Sequence, residues 1–313
     1  MGAHAGIARI STWRGDILVD LSHEQRLLRL GTVSMVVHRA ELLDMLLRTL
    51  GEQHVQLGAD CVGFSQDATG VTAHFSDGRQ ARGDFLIGAD GLHSTIRSAW
   101  FPDRKPRFEG STCWRGIAHI NRTELETLAW GRGCQFGISP MTEERAYWFA
   151  QKDAPQGEHE PEGKRKPRLL ELFHDWHDPI PAVIEATGEA DILRNDVYEL
   201  PPLRYWCRGR VALLGDAAHA MTPNLGQGGC LAIEDAVVLA DCLGAEADIA
   251  YALKLYEKHR ITRAHRVAWF AHNMGQAVEV DSSILSGARD ALIKHVPLAV
   301  VSQTLMWILE YEP

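Results

Sequence analysis

The sequence predicts an α/β fold, and three observations predict it. Val211 to Leu214 is a short apolar run of the kind a parallel sheet buries on both faces, followed by Gly215-Asp216, a glycine-rich loop and a helical pattern. Asp84 to Arg97 repeats that plan, with Phe85 to Ile87 as a buried strand, Asp90-Gly91 as the turn and a helix opening near Ser94. Between the two, residues 106–200 change to strand patterns of their own.

Taken in order, residues 7–35 read as a hairpin (Ala8 to Trp13, Gly15, then Ile17 to Leu21) and a strand near Thr32 to Val36. Residues 38–50 read as an amphipathic helix with Arg39 in its first turn. Val55 to Ile87 holds short alternating strands with turns at Gln66-Asp67 and Asp77-Gly78. Strands follow near Thr112 to Ile120, Cys134 to Pro140 and Arg145 to Ala150, then a polar loop and a helix near Arg168 to Trp176. The run Lys164-Arg165-Lys166-Pro167-Arg168, preceded by Glu158, Glu160 and Glu162, reads as a solvated, mobile loop. From residue 201 come the strand at 211–214 and long helical patterns, ending in an apolar segment, Val296 to Leu309, expected to dock as a helix.

The segment from 208 to 235 carries the chemistry. Asp216 sits at the carboxyl end of a strand, where open α/β sheets bind ligands. Pro223 stiffens the loop, and Gly226, Gly228 and Gly229 let the backbone approach a ligand without a Cβ. Leu231, Ile233, Ala236, Val237, Leu239, Ala240 and Leu243 give the next helix an apolar face. The start of that helix presents free N–H groups and the positive end of a dipole. Asp90 is expected to fix loop amides by hydrogen bonds, while Arg97 supplies positive charge nearby. A bare Asp-Gly turn with a helix cap at Ser94 reads the same residues differently.

These segments resemble the motifs of the FAD-dependent aromatic hydroxylases, a family that includes the para-hydroxybenzoate, salicylate, 6-hydroxynicotinate and urate hydroxylases. The resemblance implies an incomplete Rossmann-like FAD-binding domain, with an inserted mixed β-sheet substrate domain and C-terminal helices. Residues 1–35 become strands of the substrate-side sheet, 36–105 and 201–275 the two parts of the FAD-binding domain, 106–200 the substrate sheet and 276–313 the terminal helices. It implies that Asp216 binds the ribityl chain and that Pro223 to Gly229 lie against the isoalloxazine ring. Asp90-Gly91 falls near the pyrophosphate and the nicotinamide route, and Arg39 contacts FAD. The implied activity uses FAD, NAD(P)H and O2 to hydroxylate a small aromatic substrate through a hydroperoxyflavin.

By the same resemblance Tyr147 faces the substrate and helps deprotonate or orient it; read from the residues alone, it equally packs on a sheet with its hydroxyl at the surface. Gln135 stands where the urate enzymes carry a substrate-binding arginine, which favours a ligand read by an amide. Cys134 reads as an inert core thiol and His219 as a hydrogen-bonding core residue.

The family opens with a GxGxxG turn for the ADP half of FAD, and no such turn occurs in the 313 residues. That absence makes an unpaired sheet edge and exposed apolar surface the expectation. It keeps open a homodimer, a partner completing the segment, or a truncated, catalytically incompetent flavin or ligand binder. A net charge of -9 argues against nucleic acid as partner. Six cysteines without a CxxC pair read as reduced thiols in a cytoplasmic protein. No stretch reaches the length of a transmembrane span. His174 and His177 read as an exposed helix end and not as a metal pair.

Overall fold

A computed structural model describes residues 3–4, 9–20, 35–121, 126–297, 300, 307–308 and 311. Its strands begin with β1 (Ala3–His4), β2 (Arg9–Thr12), β3 (Ile17–Asp20), β4 (Met35–Val36), β5 (Cys61–Gln66), β6 (Val71–Phe75), β7 (Gln80–Gly83) and β8 (Leu86–Gly88). They continue with β9 (Arg107–His119), β10 (Thr127–Trp130), β11 (Cys134–Pro140), β12 (Arg145–Asp153), β13 (Leu193–Glu199), β14 (Cys207–Arg208) and β15 (Val211–Leu213). The helices are α1 (Arg39–Leu50), α2 (Thr95–Trp100), α3 (Arg165–Phe173), α4 (Ile180–Glu185), α5 (Asp216–His219), α6 (Gly228–Ala245), α7 (Ile249–Val278) and α8 (Ser283–His295). The chain divides into one unit of residues 1–52, 110–196 and 276–312 and a second of 53–109, 197–275 and 313.

The first unit is built on a seven-stranded sheet in the order β13-β9-β12-β11-β10-β2-β3. Side chains alternate across each strand, so the sheet has two chemically distinct faces. On one face Trp114, Phe136, Ile138, Ala146, Trp148 and Ala150 pack against Leu169, Phe173, Ile180, Val183 and Ile184 of α3 and α4. Burying each large apolar side chain contributes about 1.5–3 kcal/mol. Phe136 and Trp148 stack at 5.4 Å, and the Trp148 indole N–H donates to Thr187 Oγ1 at 2.8 Å. Gly116 makes room for that indole, because a Cβ there would lie 2.7 Å from Trp148 Cζ2. The opposite face carries Ser111, Cys113, Gln135, Tyr147 and Gln151.

The basic run 164–168 is not the solvated loop its composition suggests. It opens α3, three residues earlier than the sequence pattern indicates. The Glu189 carboxylate accepts the backbone N–H groups of Arg165 and Lys166 at 3.0 and 2.8 Å, capping the helix from outside. Lys166 Nζ donates to the carbonyls of Glu185 and Thr187, and Arg165 Nη1 to that of Ile192. Every one of these partners lies 19 or more residues away in sequence, beyond the reach of a local composition argument. Helix α1 is amphipathic as expected, yet none of its residues is buried, and Leu43, Leu46 and Leu50 stand exposed.

In the second unit β5, β6 and β7 form an antiparallel meander, and β14-β15-β8 form a separate sheet. β15 runs parallel to β8, pairing Val211 with Leu86 and Leu213 with Gly88. Helix α6 buries Leu231, Asp235, Val238, Leu239 and Cys242. Of the face expected from Leu231, Ile233, Ala236, Val237, Leu239, Ala240 and Leu243, Leu231 and Leu239 are buried and Leu243 half-buried, but Ile233, Ala236, Val237 and Ala240 are exposed. An all-round apolar helix has no single stripe for periodicity to find, and a charged residue settles which side turns inward.

That residue is Asp235, which has no exposed surface. One carboxylate oxygen accepts the Gly215 N–H at 3.1 Å and faces His219 Nε2 at 2.6 Å; the other accepts from Arg260 Nε at 2.7 Å. Arg260 of α7 also pairs with Glu234 at 2.7 Å. Tyr256, one helical turn before Arg260, donates its hydroxyl to the Leu213 carbonyl at 3.0 Å. Burial alone would raise the Asp235 pKa, but the hydrogen bond and charge of His219 and the Arg260 guanidinium outweigh it and hold it below 3.8.

The segment expected as a docked helix, 296–309, lies largely outside the described residues, as do residues 32–34 of the strand expected at Thr32 to Val36. Among the described residues no helix is long and apolar enough to cross a membrane.

Two outcomes follow from this packing. Gly116→Ala drives a methyl into a fully buried indole and is expected to cost about 1–3 kcal/mol, read as a fall in denaturation midpoint; an unchanged midpoint refutes the slot. Asp235→Asn removes one of the two carboxylates that pair with buried Arg260 and leaves Glu234 alone to balance it, and is expected to cost about 3 kcal/mol near neutral pH. Because the folded pKa of Asp235 is depressed, its contribution is complete above 3.8 and is lost as pH falls through the folded value. The stability gap between wild type and variant is therefore expected to narrow below that pH, measured by urea unfolding across an acid series.

Candidate active site

Two strand ends build the site in the second unit. Because β8 and β15 are parallel neighbours, the loops at Asp90-Gly91 and Gly215-Asp216 leave the sheet side by side at its carboxyl edge. Gly88 permits the close approach of the following helix, since a Cβ there would lie 2.9 Å from Ile96 Cβ. Gly91 takes φ +76 and Gly215 φ +60, conformations that other residues rarely adopt.

The two aspartates have opposite fates. Asp90 is committed: one oxygen accepts from Ser94 Oγ at 2.6 Å, the other from the N–H groups of Thr95 and Ile96 at 2.8 and 3.1 Å. It fixes loop amides, as its position suggested, and closes the start of α2. The Ser94 cap is present too, accepting the Arg97 N–H at 2.9 Å. Arg97 does not offer its charge to a ligand. Its guanidinium is buried, with Nη1 donating to the Ala217 carbonyl at 3.2 Å and Nη2 to that of Leu92 at 2.6 Å. Burial lowers its pKa, partly offset by Asp90.

Asp216 is exposed, and no group among the described residues bonds its carboxylate. It lies beside the first turn of α6, where a Cβ on Gly228 would stand 3.9 Å from its Oδ1. Pro223 opens a single 3-10 turn that ends at Gly226 in the left-handed conformation, φ +64 and ψ +19. Asn224 Nδ2 ties that turn to the Ala271 carbonyl of α7 at 3.2 Å. Helix α6 then begins at Gly228 with no side-chain cap, and a Cβ on Gly229 would meet nothing within 4 Å. A free carboxylate beside an uncapped 18-residue helix start offers hydrogen-bond acceptors and donors together. That pairing suits a polyhydroxyl chain attached to an electron-rich ring, so these residues fit the ribityl and isoalloxazine parts of a flavin.

His219 is buried against Asp235, a core residue as expected. The residues that sequence reasoning passed over are Asp235 and Arg260, which brace the loop from behind. The available signal was a charged side chain at a core position of each helix.

Gln135 and Tyr147 lie in the first unit, on one face of adjacent strands, with Gln135 opposite Gln151 and Tyr147 opposite Ser139. Tyr147 and Gln151 are four residues apart along β12, about 13 Å at 3.3 Å per residue. Gln135 is buried and donates its amide to Gln151 Oε1 at 3.1 Å, while Gln151 donates to Ser111 Oγ and Glu279 Oε1. The Tyr147 hydroxyl has no partner among the described residues, and burial pushes its pKa up, so the phenol stays protonated. Cys134 is pushed up to about 11 by burial, which leaves an inert thiol. Arg39, the first residue of α1 in this unit, is exposed with no partner among the described residues.

His174 and His177 do not converge. His174 pairs with Asp175, and His177 Nε2 lies 3.2 Å from Ser11 Oγ. Among the described residues one group has ligand-like spacing, Glu109, Glu199 and His272. Arg107 bridges both of those carboxylates, and His272 Nδ1 lies 3.0 and 3.1 Å from them, so ion pairing already satisfies the group.

Comparison with known proteins agrees with this geometry. Residues 19–271 match the family model described as FAD binding domain. The aurachin C monooxygenase/isomerase of Stigmatella aurantiaca is 38% identical over 286 residues, which cover 90% of this chain and 74% of that protein. The zeaxanthin epoxidase of Oryza sativa subsp. japonica is 39% identical over 245 residues, 74% of this chain but 37% of that protein. Among solved structures, Klebsiella pneumoniae HpxO complexed with FAD and uric acid superposes with TM-score 0.91 at 30% identity, covering 98% of this chain and 81% of that one. A salicylate hydroxylase substrate complex shares the fold, with TM-score 0.79 at 22% identity. The chain belongs to the FAD binding domain family, among flavoprotein monooxygenases, and its cofactor is FAD.

Proposed function

We propose that the chain is a monooxygenase that uses NAD(P)H and O2 to hydroxylate a small aromatic substrate. The observation that carries this reading is the open Asp216 carboxylate beside the uncapped start of α6, on a loop braced by buried Asp235. Bound FAD supplies the two-electron chemistry that activates O2. Asp216 accepts hydrogen bonds from ribityl hydroxyls, and the first amides of α6 donate to the electron-rich edge of the ring. Asp90 and Gly91 shape the neighbouring loop, and Pro223, Gly226, Gly228 and Gly229 keep side chains out of the way of the ring. Arg39 adds an exposed cation for the cofactor.

Tyr147 orients the substrate. Its phenol is held in the protonated form, which supports a donor role over that of a base. Gln135 sets polarity through the amide chain it shares with Gln151. HpxO was solved with uric acid bound, which supports an electron-rich ring as the group attacked.

Adding FAD to the purified protein is expected to give a bound-flavin spectrum and NAD(P)H oxidation stimulated by aromatic substrates, with hydroxylated product. Asp216→Ala removes charge-assisted hydrogen bonds worth about 1.5–3 kcal/mol and is expected to weaken FAD binding by about ten- to a hundredfold. Tyr147→Phe is expected to raise the substrate KM while leaving FAD affinity unchanged. Bound FAD with no substrate-stimulated oxidation would sink this reading.

A further inference from the structure

Gln135 brings no charge to the sheet face it shares with Tyr147, but another residue of that face does. Arg115 lies on β9 directly opposite Phe149 of β12, and Tyr147 is the next β12 residue on the same face. Arg115 is exposed, and its Nη2 donates to Asn195 Oδ1 at 2.6 Å. Among the described residues no carboxylate pairs with it, and its remaining N–H groups have no partner.

The middle of this face holds no other charge. Three neighbouring strands set Ile117, Tyr147 and Ser139 in one row and Arg115, Phe149 and Gly137 in the next. A third row, Cys113, Gln151 and Gln135, is buried. The other charged groups lie at the two ends. At one end stand exposed His119 and Arg145, which pairs with Glu41 at 3.0 Å. At the other, Glu279 accepts from Gln151, and Arg289 over the Trp130 ring pairs with Asp290. Asp153 lies one row beyond Gln151, about 13 Å along the strand from Phe149.

Beside Arg115 lies an aromatic shelf. A Cβ on Gly137 would run into the Phe149 ring, so that ring lies across the glycine backbone. Tyr147 and Phe149 are both half-buried, with ring centres 6.4 Å apart and planes tilted by 32°. The Arg115 charge reaches the Tyr147 phenol: burial drives the Tyr147 pKa up, and Arg115 pulls it back. A flat ring stacked on Phe149 therefore has a phenol on one side and a guanidinium on the other.

We infer that Arg115 selects the substrate by charge, and that the substrate is an aromatic carboxylate. Its carboxylate pairs with the guanidinium, its ring stacks on Phe149 and its ring hydroxyl faces Tyr147. Asn195 takes one N–H of Arg115 and so aims the planar fork, whose other donors match a carboxylate. The inference rests on the reading of this face as the substrate face. It assigns the substrate's charge to Arg115 and leaves buried Gln135 as a support behind the shelf.

The test measures binding to the purified full chain loaded with FAD, without NAD(P)H, by calorimetry at constant ionic strength. Salicylate is compared with salicylamide, and 4-hydroxybenzoate with 4-hydroxybenzamide, because each pair shares ring and hydroxyl and differs in charge. At least one acid is expected to bind about tenfold more tightly than its amide. Arg115→Gln is expected to erase that preference, weakening the acid while the amide stays within about twofold of wild type. Arg115→Lys keeps the charge and is expected to restore most of the preference. FAD affinity is expected to match wild type in both variants. Equal or tighter binding of the amides, a preference that survives Arg115→Gln, or parallel weakening of acid and amide overturns the inference. No binding of either acid up to about 10 mM does so too. Acid binding that passes these tests without substrate-stimulated NAD(P)H oxidation sinks the monooxygenase reading and leaves this assignment standing.

Discussion

The site in the second unit rests on one buried carboxylate. Asp235 holds the Gly215 N–H, the His219 ring and the Arg260 guanidinium at once, so strand end, loop and two helices meet on three short contacts to two oxygens. A lone buried carboxylate would be prohibitive, and burial does push its pKa up. His219 and Arg260 reverse the sign. The same contacts fix the backbone that carries Asp216, which needs no partner of its own to be well placed. The site is rigid because its scaffold is satisfied behind it, leaving the outward-facing groups free for a ligand.

Neighbouring strands show the same division of labour. Asp90 and Asp216 follow parallel partners, β8 and β15, and each begins a loop into a helix. Asp90 takes the Ser94 hydroxyl and two amides and so closes α2, a helix of six residues. Asp216 takes nothing from the protein, and α6 beside it starts uncapped. Similar sequence signals thus serve opposite ends. What separates them is whether a serine and free amides fall within reach of the carboxylate.

Much of this was legible in the sequence because it is local. A short apolar run, an Asp-Gly or Gly-Asp pair and a following helical pattern occupy adjacent residues, and each step has a steric reason. The sheet strands of the first unit were legible through alternation, and Cys134 to Pro140 forms a strand at the expected bounds. The failures are non-local. Lys164 to Arg168 read as solvated because its partners, Glu189, Glu185, Thr187 and Ile192, lie in a different helix and the segment after it. The buried side of α6 was misassigned because Ile233 and Val237 are as apolar as Leu231 and Val238, and only Asp235, through Arg260 on another helix, fixes the rotation.

The sheet of the first unit shows why polarity, and not hydrophobicity, distinguishes its two sides. One face is closed by interlocking aromatics, with Trp148 seated over Gly116 and against Phe136. Such packing leaves no room for a ligand. At the edge of that same face the packing gives way to Arg194, Glu160 and Trp114, where fixed polar groups replace apolar contact. On the other face Gln135, Gln151, Ser111 and Glu279 satisfy one another, and the Tyr147 hydroxyl stands apart without a partner. Because side chains alternate strictly along a strand, a ligand on one face reaches the other only through backbone displacement. Strands locked by a stacked tryptophan resist that displacement, so the polar face keeps its geometry independently of the packed one.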